Sequence, residues 1–297
     1  MKKKLVLFLI NFLSISVLFA QNTEKDTTYW KNSIQTGLNF NQSSFSGNWK
    51  AGGVNSVALG AFFNGKFNYS KNKMLFDNEI QLQYGVVKND GQSTRKNIDR
   101  IFIDSKLGYG ISKSWNLFYS INFLSQFDVG NNYGTDATGK ETQTIISRFM
   151  SPAYLTQSLG VEYKPVDFFS LRFGTGTLRQ TFVTDLELYK TEPKNYGVPI
   201  GKTLRNEMAF QFIANFDKDV LPNLNLKARA LIFSNYEDLA ATDVRFDANL
   251  TAKINKWVNV NLSGVLLYDQ DMDTKIQYSQ TLALGFLYTF ANFVETK

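Results

Sequence analysis

Residues 244–254 read VRFDANLTAKI, in which apolar and polar side chains alternate strictly. Every second residue is apolar from Val244 to Ile254, and polar or charged residues lie between them. A period of two places the two sets on opposite faces of a β-strand. Residues 76–86 and 281–290 repeat the pattern with few exceptions. The alternation therefore predicts a protein built from β-strands.

The same pattern predicts twelve strands along the chain. Most of them exceed the 5–6 residues of an ordinary globular strand and reach the roughly 9–11 residues that a tilted strand needs to cross a bilayer. The predicted strands are residues 33–41, 55–69, 74–87, 100–111, 116–129, 154–163, 169–183, 206–217, 224–235, 243–254, 258–268 and 277–290.

The links between these strands are predicted to alternate in length. Short links join every second pair of strands, and the others are longer, with the predicted long links at residues 42–54, 88–99, 130–153, 184–205, 236–242 and 269–276. Bacterial outer-membrane barrels combine short periplasmic turns with longer outside loops. The predicted fold is an all-β, transmembrane, antiparallel up-and-down barrel of about 12 strands in the outer membrane.

A soluble β-sandwich or a lipocalin-like barrel would also show alternation. Such folds bury their apolar face and rarely need a dozen long strands. The polar faces here carry several charges, such as Asp104 beside Lys106, and charges of this kind could not fill a dry core. They could line water, which favours the membrane barrel.

Composition removes several classes of enzyme. The 297 residues include no His and no Cys, so Ser-His-Asp and Cys-His nucleophile systems, disulfides and zinc-thiolate sites are excluded. We therefore expect no catalytic residues, no cofactor and no metal site, and we expect that the protein is not an enzyme.

The first twenty residues resemble an export signal. Three lysines precede an apolar run from Leu5 to Ala20, which is typical of a secretory signal peptide, although a membrane anchor is an alternative. We predict a signal peptide at residues 1–20, a polar periplasmic leader at 21–32, the barrel at 33–290 and a short tail at 291–297. Those lysines supply half of the net charge of +6, so nucleic acid is not an expected partner.

One short motif resembles a known family. Residues 49–56 read WKAGGVNS and open the second strand, and Trp30 lies just before the first. Together they resemble a family of Bacteroidota outer-membrane proteins known as domain of unknown function 3078. The resemblance implies a barrel over Trp30–Phe290 and brings no activity. The motif residues are Trp49, Gly52, Gly53, Asn55 and Ser56.

The glycine pair within this motif permits positive φ at a turn or bulge before the strand. We expect Trp49 to pack over the mouth of the barrel, and a role in stacking against a ligand is the alternative.

The polar faces of the strands supply the candidate site residues. Strands 3 and 4 are predicted to stand opposite strands 9 and 10, so an acidic wall would face a basic one and create a transverse field. The rival hypothesis is that these charges pair across a narrow lumen and close it. The predicted lumen-facing charges are Asp77, Glu79, Asp104, Arg172, Glu207, Lys227, Arg229, Arg245, Asp247 and Lys253.

Two further patterns are weak. Residues 269–273 (DQDMD) have the alternating carboxylates of a calcium loop but lack its glycine and its bidentate glutamate, which favours a solvated acidic loop. Residues 174–177 (GTGT) precede no helix, so glycine here is expected to relieve curvature in the barrel wall rather than to bind phosphate.

Two functions remain open from the sequence. One is a small-solute pore or channel with a charged lumen, and the other is a structural or accessory barrel of a larger envelope assembly with a plugged lumen. Expected partners are outer-membrane lipid and lipopolysaccharide, the barrel-assembly machinery during insertion, and an envelope protein at loop 130–153, whose length indicates a function.

Overall fold

The computed structural model describes residues 29–46, 48, 50, 53–239 and 242–292. The predicted signal peptide and most of the predicted leader and tail lie outside these residues, as do Trp49 and Gly52 of the motif. None of the helices in the described ranges has the length and apolar character needed to cross a bilayer.

Fourteen strands lie in the described part of the chain. Twelve of them have 11 to 19 residues each and form the wall of the barrel. The strands are β1 Trp30–Ser43, β2 Ser56–Lys71, β3 Met74–Asn89, β4 Arg95–Gly110, β5 Trp115–Ser125, β6 Gly130–Thr135, β7 Glu141–Ser147, β8 Ala153–Val166, β9 Phe169–Phe182, β10 Leu204–Leu221, β11 Leu224–Asn235, β12 Thr242–Lys253, β13 Val258–Asp269 and β14 Asp273–Ala291.

The wall closes on itself. Each barrel strand pairs antiparallel with its neighbours in chain order, β5 pairs with β8, and β1 pairs with β14 from Ser33↔Ala291 to Phe40↔Leu284. The strands β6 and β7 form a separate hairpin within the β5–β8 link. All twelve predicted strands are confirmed, in the predicted up-and-down order.

The two faces of the wall have opposite chemistry. Large apolar side chains such as Leu59, Phe246 and Tyr288 are exposed on the outside, whereas Glu162 and Lys106 are buried inside. This is the reverse of a soluble barrel, and it is the distribution that hydrocarbon outside and polar groups inside require. The predicted transmembrane antiparallel barrel is confirmed, and the soluble alternatives are wrong.

Several strands extend further than predicted. At one end of the barrel, β4 begins at Arg95 and β14 at Asp273, so the β3–β4 and β13–β14 links shrink to residues 90–94 and 270–272. The prediction of two long links there was wrong. The added segments, residues 95–99 (RKNID) and 273–276 (DTKI), are mostly polar, and backbone pairing continues there without the apolar alternation on which the prediction depended. We call this end the long-loop end and the opposite one the short-turn end.

The β6–β7 hairpin was predicted as part of a loop. Residues 130–135 read GNNYGT and carry no apolar alternation, so only the backbone pairing with β7 defines the strand. Asp136 fixes its turn, because Oδ1 accepts hydrogen bonds from the backbone N–H groups of Thr138 at 2.8 Å and Lys140 at 3.0 Å.

A β-bulge interrupts β9. Gly176 pairs with Leu159 and Gly174 pairs with Gly160, so Thr175 is the extra residue. Arg172 faces the lumen before the bulge and Phe173 faces outward, whereas Arg179 lies on the lumen side after it and contacts Asp243 of β12. An extra residue shifts the period of two by one position. The predicted structural role of glycine in residues 174–177 is consistent with this bulge.

The bulge predicts which introduced cysteines are exposed to water. Since the chain has no native Cys, Arg179→Cys and Phe173→Cys each introduce a unique thiol. We expect a small water-soluble methanethiosulfonate to label Arg179→Cys and a hydrocarbon-soluble maleimide to label Phe173→Cys. Labelling of both thiols only from the lipid phase would mean that β9 runs without the bulge.

A charge on the outer face tests the membrane-facing side. Phe246 is 40% exposed on the outer face of β12, and Asn249 accepts a 2.7 Å hydrogen bond from Ser263 on the inner face. We expect Phe246→Arg to lower the free energy of unfolding by about 2–4 kcal/mol, as for a cation near the bilayer midplane. Asn249→Arg keeps its charge in the polar lumen and should cost clearly less. Urea unfolding in lipid vesicles measures both, and equal losses would contradict the assigned faces.

Candidate functional site: the charged lumen

Four charges on four strands meet across the lumen, and we call them the lumen quartet: Lys66, Glu79, Asp217 and Lys227. Lys66 stands directly opposite Glu79 in the β2–β3 register, and Asp217 stands opposite Lys227 in the β10–β11 register. Across the lumen, Lys66 Nζ lies 2.6 Å from Asp217 Oδ2, and Lys227 forms an ion pair with Glu79. Each charge of the quartet therefore has an opposite charge beside it and another in front of it.

The quartet joins strands that lie on opposite sides of the barrel. In the closed order, β2 and β10 are six strands apart, and so are β3 and β11. Twelve strands spaced about 4.8 Å apart and tilted about 40° would form a circular wall roughly 24 Å across. A Lys and an acidic side chain placed end to end do not span that distance. The wall is therefore flattened at the level of the quartet.

A third ion pair crosses the lumen closer to the long-loop end. Arg100 Nη1 of β4 lies 3.1 Å from Asp247 Oδ1 of β12, and these strands are also six apart. Arg245 lies two residues from Asp247 on the same strand and forms a second ion pair with it, at 2.7 Å. The aspartate is thus held between two guanidinium groups.

A buried cluster fills the side of the lumen formed by β4, β8 and β9. Glu162 is 1% exposed and accepts hydrogen bonds from Lys106 Nζ at 2.6 Å and Arg172 Nε at 3.2 Å. Asp104 accepts another from Arg172 Nη1 at 3.0 Å and lies 3.4 Å from Arg229 Nη1. These contacts link four strands into one network.

The network satisfies the charges that it buries. A buried ion is costly to hold in the folded state unless an opposite charge and hydrogen bonds compensate it. Glu162 has Lys106, Arg172 and the Asn116 side-chain amide, whose Nδ2 lies 3.2 Å from Oε2. Removing one partner of such a cluster costs about 3–5 kcal/mol, because a buried charge is left uncompensated.

Most of the predicted lumen charges join ion pairs inside the barrel. Asp77 contacts Lys106 at 2.9 Å, and Lys253 is exposed at the short-turn end. Glu207 lies at the long-loop end, 3.0 Å from Arg205. Those that join ion pairs inside the barrel are Asp77, Glu79, Asp104, Arg172, Lys227, Arg229, Arg245 and Asp247.

Several participants were not among the predicted candidates, namely Lys66, Arg100, Lys106, Glu162, Arg179, Asp217 and Asp243. Glu162 shares a face with Thr156 and Ser158 in a predicted strand, so its signal was present in the alternation. Lys66 likewise lies on the polar face of β2. Arg100 stood at the predicted edge of its strand. Arg179 was hidden by the bulge, which a strict period of two cannot reveal.

A polar cavity of about 350 Å³ opens at the long-loop end. Arg205 lies between Glu207 and Asp271 there and forms ion pairs with both. Lys194 also belongs to the lining, and it donates a hydrogen bond to the backbone carbonyl of Gln270. The cavity carries charges of both signs, and a small polar solute would find hydrogen-bonding groups on several sides.

The loop between β9 and β10 folds into a cap with its own apolar core. Val183, Leu188, Tyr196 and Val198 are buried together, and Ile145 of the β6–β7 hairpin packs against them. The Tyr196 hydroxyl donates a hydrogen bond to the carbonyl of Ile146 at 2.7 Å. This cap is therefore an ordered structure beside the mouth of the barrel.

The family-like motif has a structural role where the structure describes it. The Asn55 Oδ1 accepts a hydrogen bond from the N–H of Phe45 at 2.6 Å, and its Nδ2 donates to Asp90 at 2.9 Å. Gly53 adopts a φ of 135°, which confirms the predicted positive φ for the second glycine of the pair; Gly52 lies outside the described residues. Ser56 begins β2. The role predicted for Trp49 stays a prediction.

The acidic residues of stretch 269–273 stabilise a turn and form an ion pair. Asp269 Oδ1 accepts a hydrogen bond from the N–H of Asp271 at 2.9 Å, and Asp271 contacts Arg205. Within the described ranges, no group of three or more acidic side chains is arranged to hold a metal ion.

The carboxylate of Glu141 is one of the groups that attach the hairpin to the wall. Glu141 of β7 accepts hydrogen bonds from the Ser93 hydroxyl and from Arg95, whose Nη2 lies 2.8 Å from Oε2. The Arg95 guanidinium also lies 4.3 Å from the centre of the Tyr133 ring. The hydrogen bond from Ser93 and then that from Arg95 lower the pKa of Glu141 from 4.5 to about 2.

This pKa predicts an acid-sensitive hairpin. A lowered pKa means that the attachment is complete above about pH 4.5 and weakens as the pH falls toward 2. Nitroxides at Asn132→Cys and Gln92→Cys should give one narrow distance in pulsed electron resonance at pH 6 and a broad distribution near pH 2. Glu141→Gln should broaden the distribution at every pH. A distance that does not change with pH would refute this attachment.

Two family profiles match different parts of the chain. A family described as protein of unknown function (DUF3078) matches residues 40–133, and one described as protein of unknown function, DUF481, matches residues 160–290. The predicted resemblance to the first family is confirmed over residues 40–133, which include the motif. The Bacteroidota origin stays a prediction. A comparison with curated proteins returns no match.

Solved structures similar to this chain are barrels at low identity. The translocator domain of the autotransporter NalP from Neisseria meningitidis has 11% identity and a TM-score of 0.35, with 90% of each chain covered. An outer-membrane channel from Pseudomonas putida F1 has 7% identity and a TM-score of 0.40, covering 91% of this chain and 98% of that one. The KdgM porin has 10% identity and a TM-score of 0.30, covering 87% and 99%.

Proposed function

We propose that this protein is an outer-membrane barrel with a closed lumen, which anchors an ordered cap at the cell surface as an accessory part of a larger envelope assembly. The lumen quartet is the observation that carries the proposal. Two ion pairs between opposite strands bring the walls within reach of single side chains. No catalytic role belongs to this proposal.

Ion conduction requires a continuous column of water through the barrel. Eight strands leave an interior filled by side chains, and sixteen leave an open channel. In a barrel of twelve strands, the side chains inside decide whether the lumen is open or closed. Here the quartet, the Arg100–Asp247 pair and the cluster around Glu162 together occupy the interior, and Glu79 of the quartet stands directly opposite Asp104 of the cluster. This arrangement supports a sealed barrel.

The cap supports a role in binding. The β6–β7 hairpin and the β9–β10 loop share a small apolar core, and hydrogen bonds join them. Ordered surface loops on a rigid scaffold are common sites of recognition. We propose that the envelope partner expected at residues 130–153 contacts the β6–β7 hairpin, which packs against this cap. Export by a signal peptide and the outward direction of the long-loop end belong to the same proposal.

A second candidate is a small-solute channel that conducts when the quartet separates. The observation that favours it is the polar cavity of about 350 Å³ at the long-loop end, which leads toward a lumen lined by charged side chains. Ion pairs that are partly hydrated can separate at modest free-energy cost. The Lys66 and Asp217 side chains retain 43% and 36% exposure.

Conductance of the purified barrel in planar bilayers tests the proposal. We expect the wild-type protein to be silent. The double variant Glu79→Gln with Asp217→Asn leaves Lys66 and Lys227 without their acidic partners, so the two lysines repel each other and the lumen should open. The resulting current should favour anions, because the remaining charges of the quartet are positive.

The control removes two acidic charges outside the lumen. Asp136→Asn with Asp273→Asn should stay silent, and the mobility of unheated samples in detergent gels should report that all variants are folded. Steady conductance of the wild type would contradict the closed barrel and favour the channel. A folded but silent quartet variant would show that the quartet does not seal the lumen.

A further inference from the structure

An apolar groove of about 420 Å³ runs along the outer face where β1 meets β14. Its lining includes Leu38, Phe286, Tyr288 and Trp257, and Ala61 of β2 lies beside Leu38 at its edge. The groove is close to the short-turn end, because the N–H of Leu287 donates a 2.8 Å hydrogen bond to the carbonyl of Trp257 beside the β12–β13 turn.

Small residues lie along this groove. Gly37 contributes backbone to its floor, and a Cβ at that position would stand 2.1 Å from the carbonyl oxygen of Phe286, so the two strands approach each other closely there. Ala61 on β2 adds only a methyl group. The large side chains of Leu38 and Phe286 rise beside these small residues and border the groove.

The surroundings of the groove define what can fill it. The outer face of β1 and β14 is apolar, with Leu38 at 60% and Phe286 at 52% exposure, and it faces the hydrocarbon of the bilayer. Water finds few hydrogen-bonding groups there, and an empty groove would lose van der Waals contacts along its whole lining. A lipid acyl chain is the apolar molecule present at this depth.

A cation lies at the end of the groove. The Trp257 ring stacks on Tyr288, with ring centres 6.1 Å apart and planes at 17°. The ammonium group of Lys256 lies 5.1 Å from the centre of the Trp257 ring. Toward the short-turn end, the apolar lining is thus followed by the aromatic stack and then by the positive charge. A phospholipid has the matching order of acyl chain, glycerol region and phosphate.

Other lysines at this end are held in the same way, by aromatic rings of the interface. Lys71 lies 4.5 Å from the Tyr29 ring centre and Lys218 lies 4.2 Å from that of Phe168. Lysine stems that cover apolar surface while the charge reaches the headgroup level are typical of membrane interfaces. Lys256 combines this placement with contact to Trp257, which itself lines the groove.

We propose that the β1–β14 groove and Lys256 form a binding site for an anionic phospholipid of the leaflet at the short-turn end. One acyl chain lies between Leu38, Phe286 and Ala61, and the phosphate contacts Lys256. The site is independent of whether the lumen conducts.

Tryptophan quenching by brominated lipids tests this site. A variant with Trp30→Phe, Trp49→Phe and Trp115→Phe retains Trp257 as its single tryptophan. Reconstituted in phosphatidylcholine, it should be quenched by dibrominated phosphatidylglycerol with a relative binding constant about fivefold above that of dibrominated phosphatidylcholine. A fivefold preference corresponds to about 1 kcal/mol, the contribution expected of one basic residue at an anionic surface.

The matched control is the variant that retains only Trp115. Trp115 also lies at the short-turn end and packs on Tyr163, with ring centres 4.9 Å apart, and Lys113 is nearby in sequence. We expect no comparable preference there. Equal preferences at Trp115 and Trp257 would overturn the proposal, because general surface charge would then explain both.

Two substitutions separate the headgroup contact from the acyl-chain contact. Lys256→Gln should abolish the preference for phosphatidylglycerol while quenching by both lipids persists. Ala61→Phe should fill the groove and lower quenching of Trp257 by both lipids. A preference that survives Lys256→Gln, or quenching unchanged by Ala61→Phe in a folded barrel, would refute the site.

Discussion

The pairing of β1 with β14 is the contact on which the rest of the structure depends. It joins Ser33–Phe40 to Leu284–Ala291, which belong to the first and last strands of the described part of the chain, and removes both free edges of the sheet. In hydrocarbon, an unpaired backbone N–H or C=O costs several kcal/mol, so only a closed sheet can stand in a bilayer. In a closed sheet that stands in lipid, the apolar face lies on the outside, and the polar face is enclosed together with its charges.

The enclosed charges impose a second constraint on the structure. A lumen with lysines, arginines and carboxylates must hydrate them or pair them. This barrel pairs them: the quartet draws opposite walls together, and the cluster around Glu162 joins β4, β8 and β9. The flattened cross-section follows from the side chains, since the number of strands alone would permit a round and hydrated interior.

The sequence predicted the wall far better than the contacts inside it. Alternation located all twelve barrel strands, because one face must be apolar wherever lipid touches it. It also placed Glu79 opposite Lys227 and left open whether such charges pair or line water. It could not reveal the bulge at Thr175, which moves Arg179 to the lumen, or the β6–β7 hairpin, where backbone pairing needs no apolar face. Those features depend on backbone register, which residue type does not specify.

The lumen quartet also has a consequence for how the chain reaches its final form. Lys66 and Asp217 are separated by 151 positions in the chain, and Glu79 and Lys227 by 148. Hairpins between neighbouring strands involve short chain separations and form early, whereas contacts of such high contact order form slowly. The ion pairs can therefore assemble only after the hairpins on both sides are in register. Until those pairs form, the quartet does not draw the walls together, so we expect the lumen to stay wider and more hydrated until the last stage of folding.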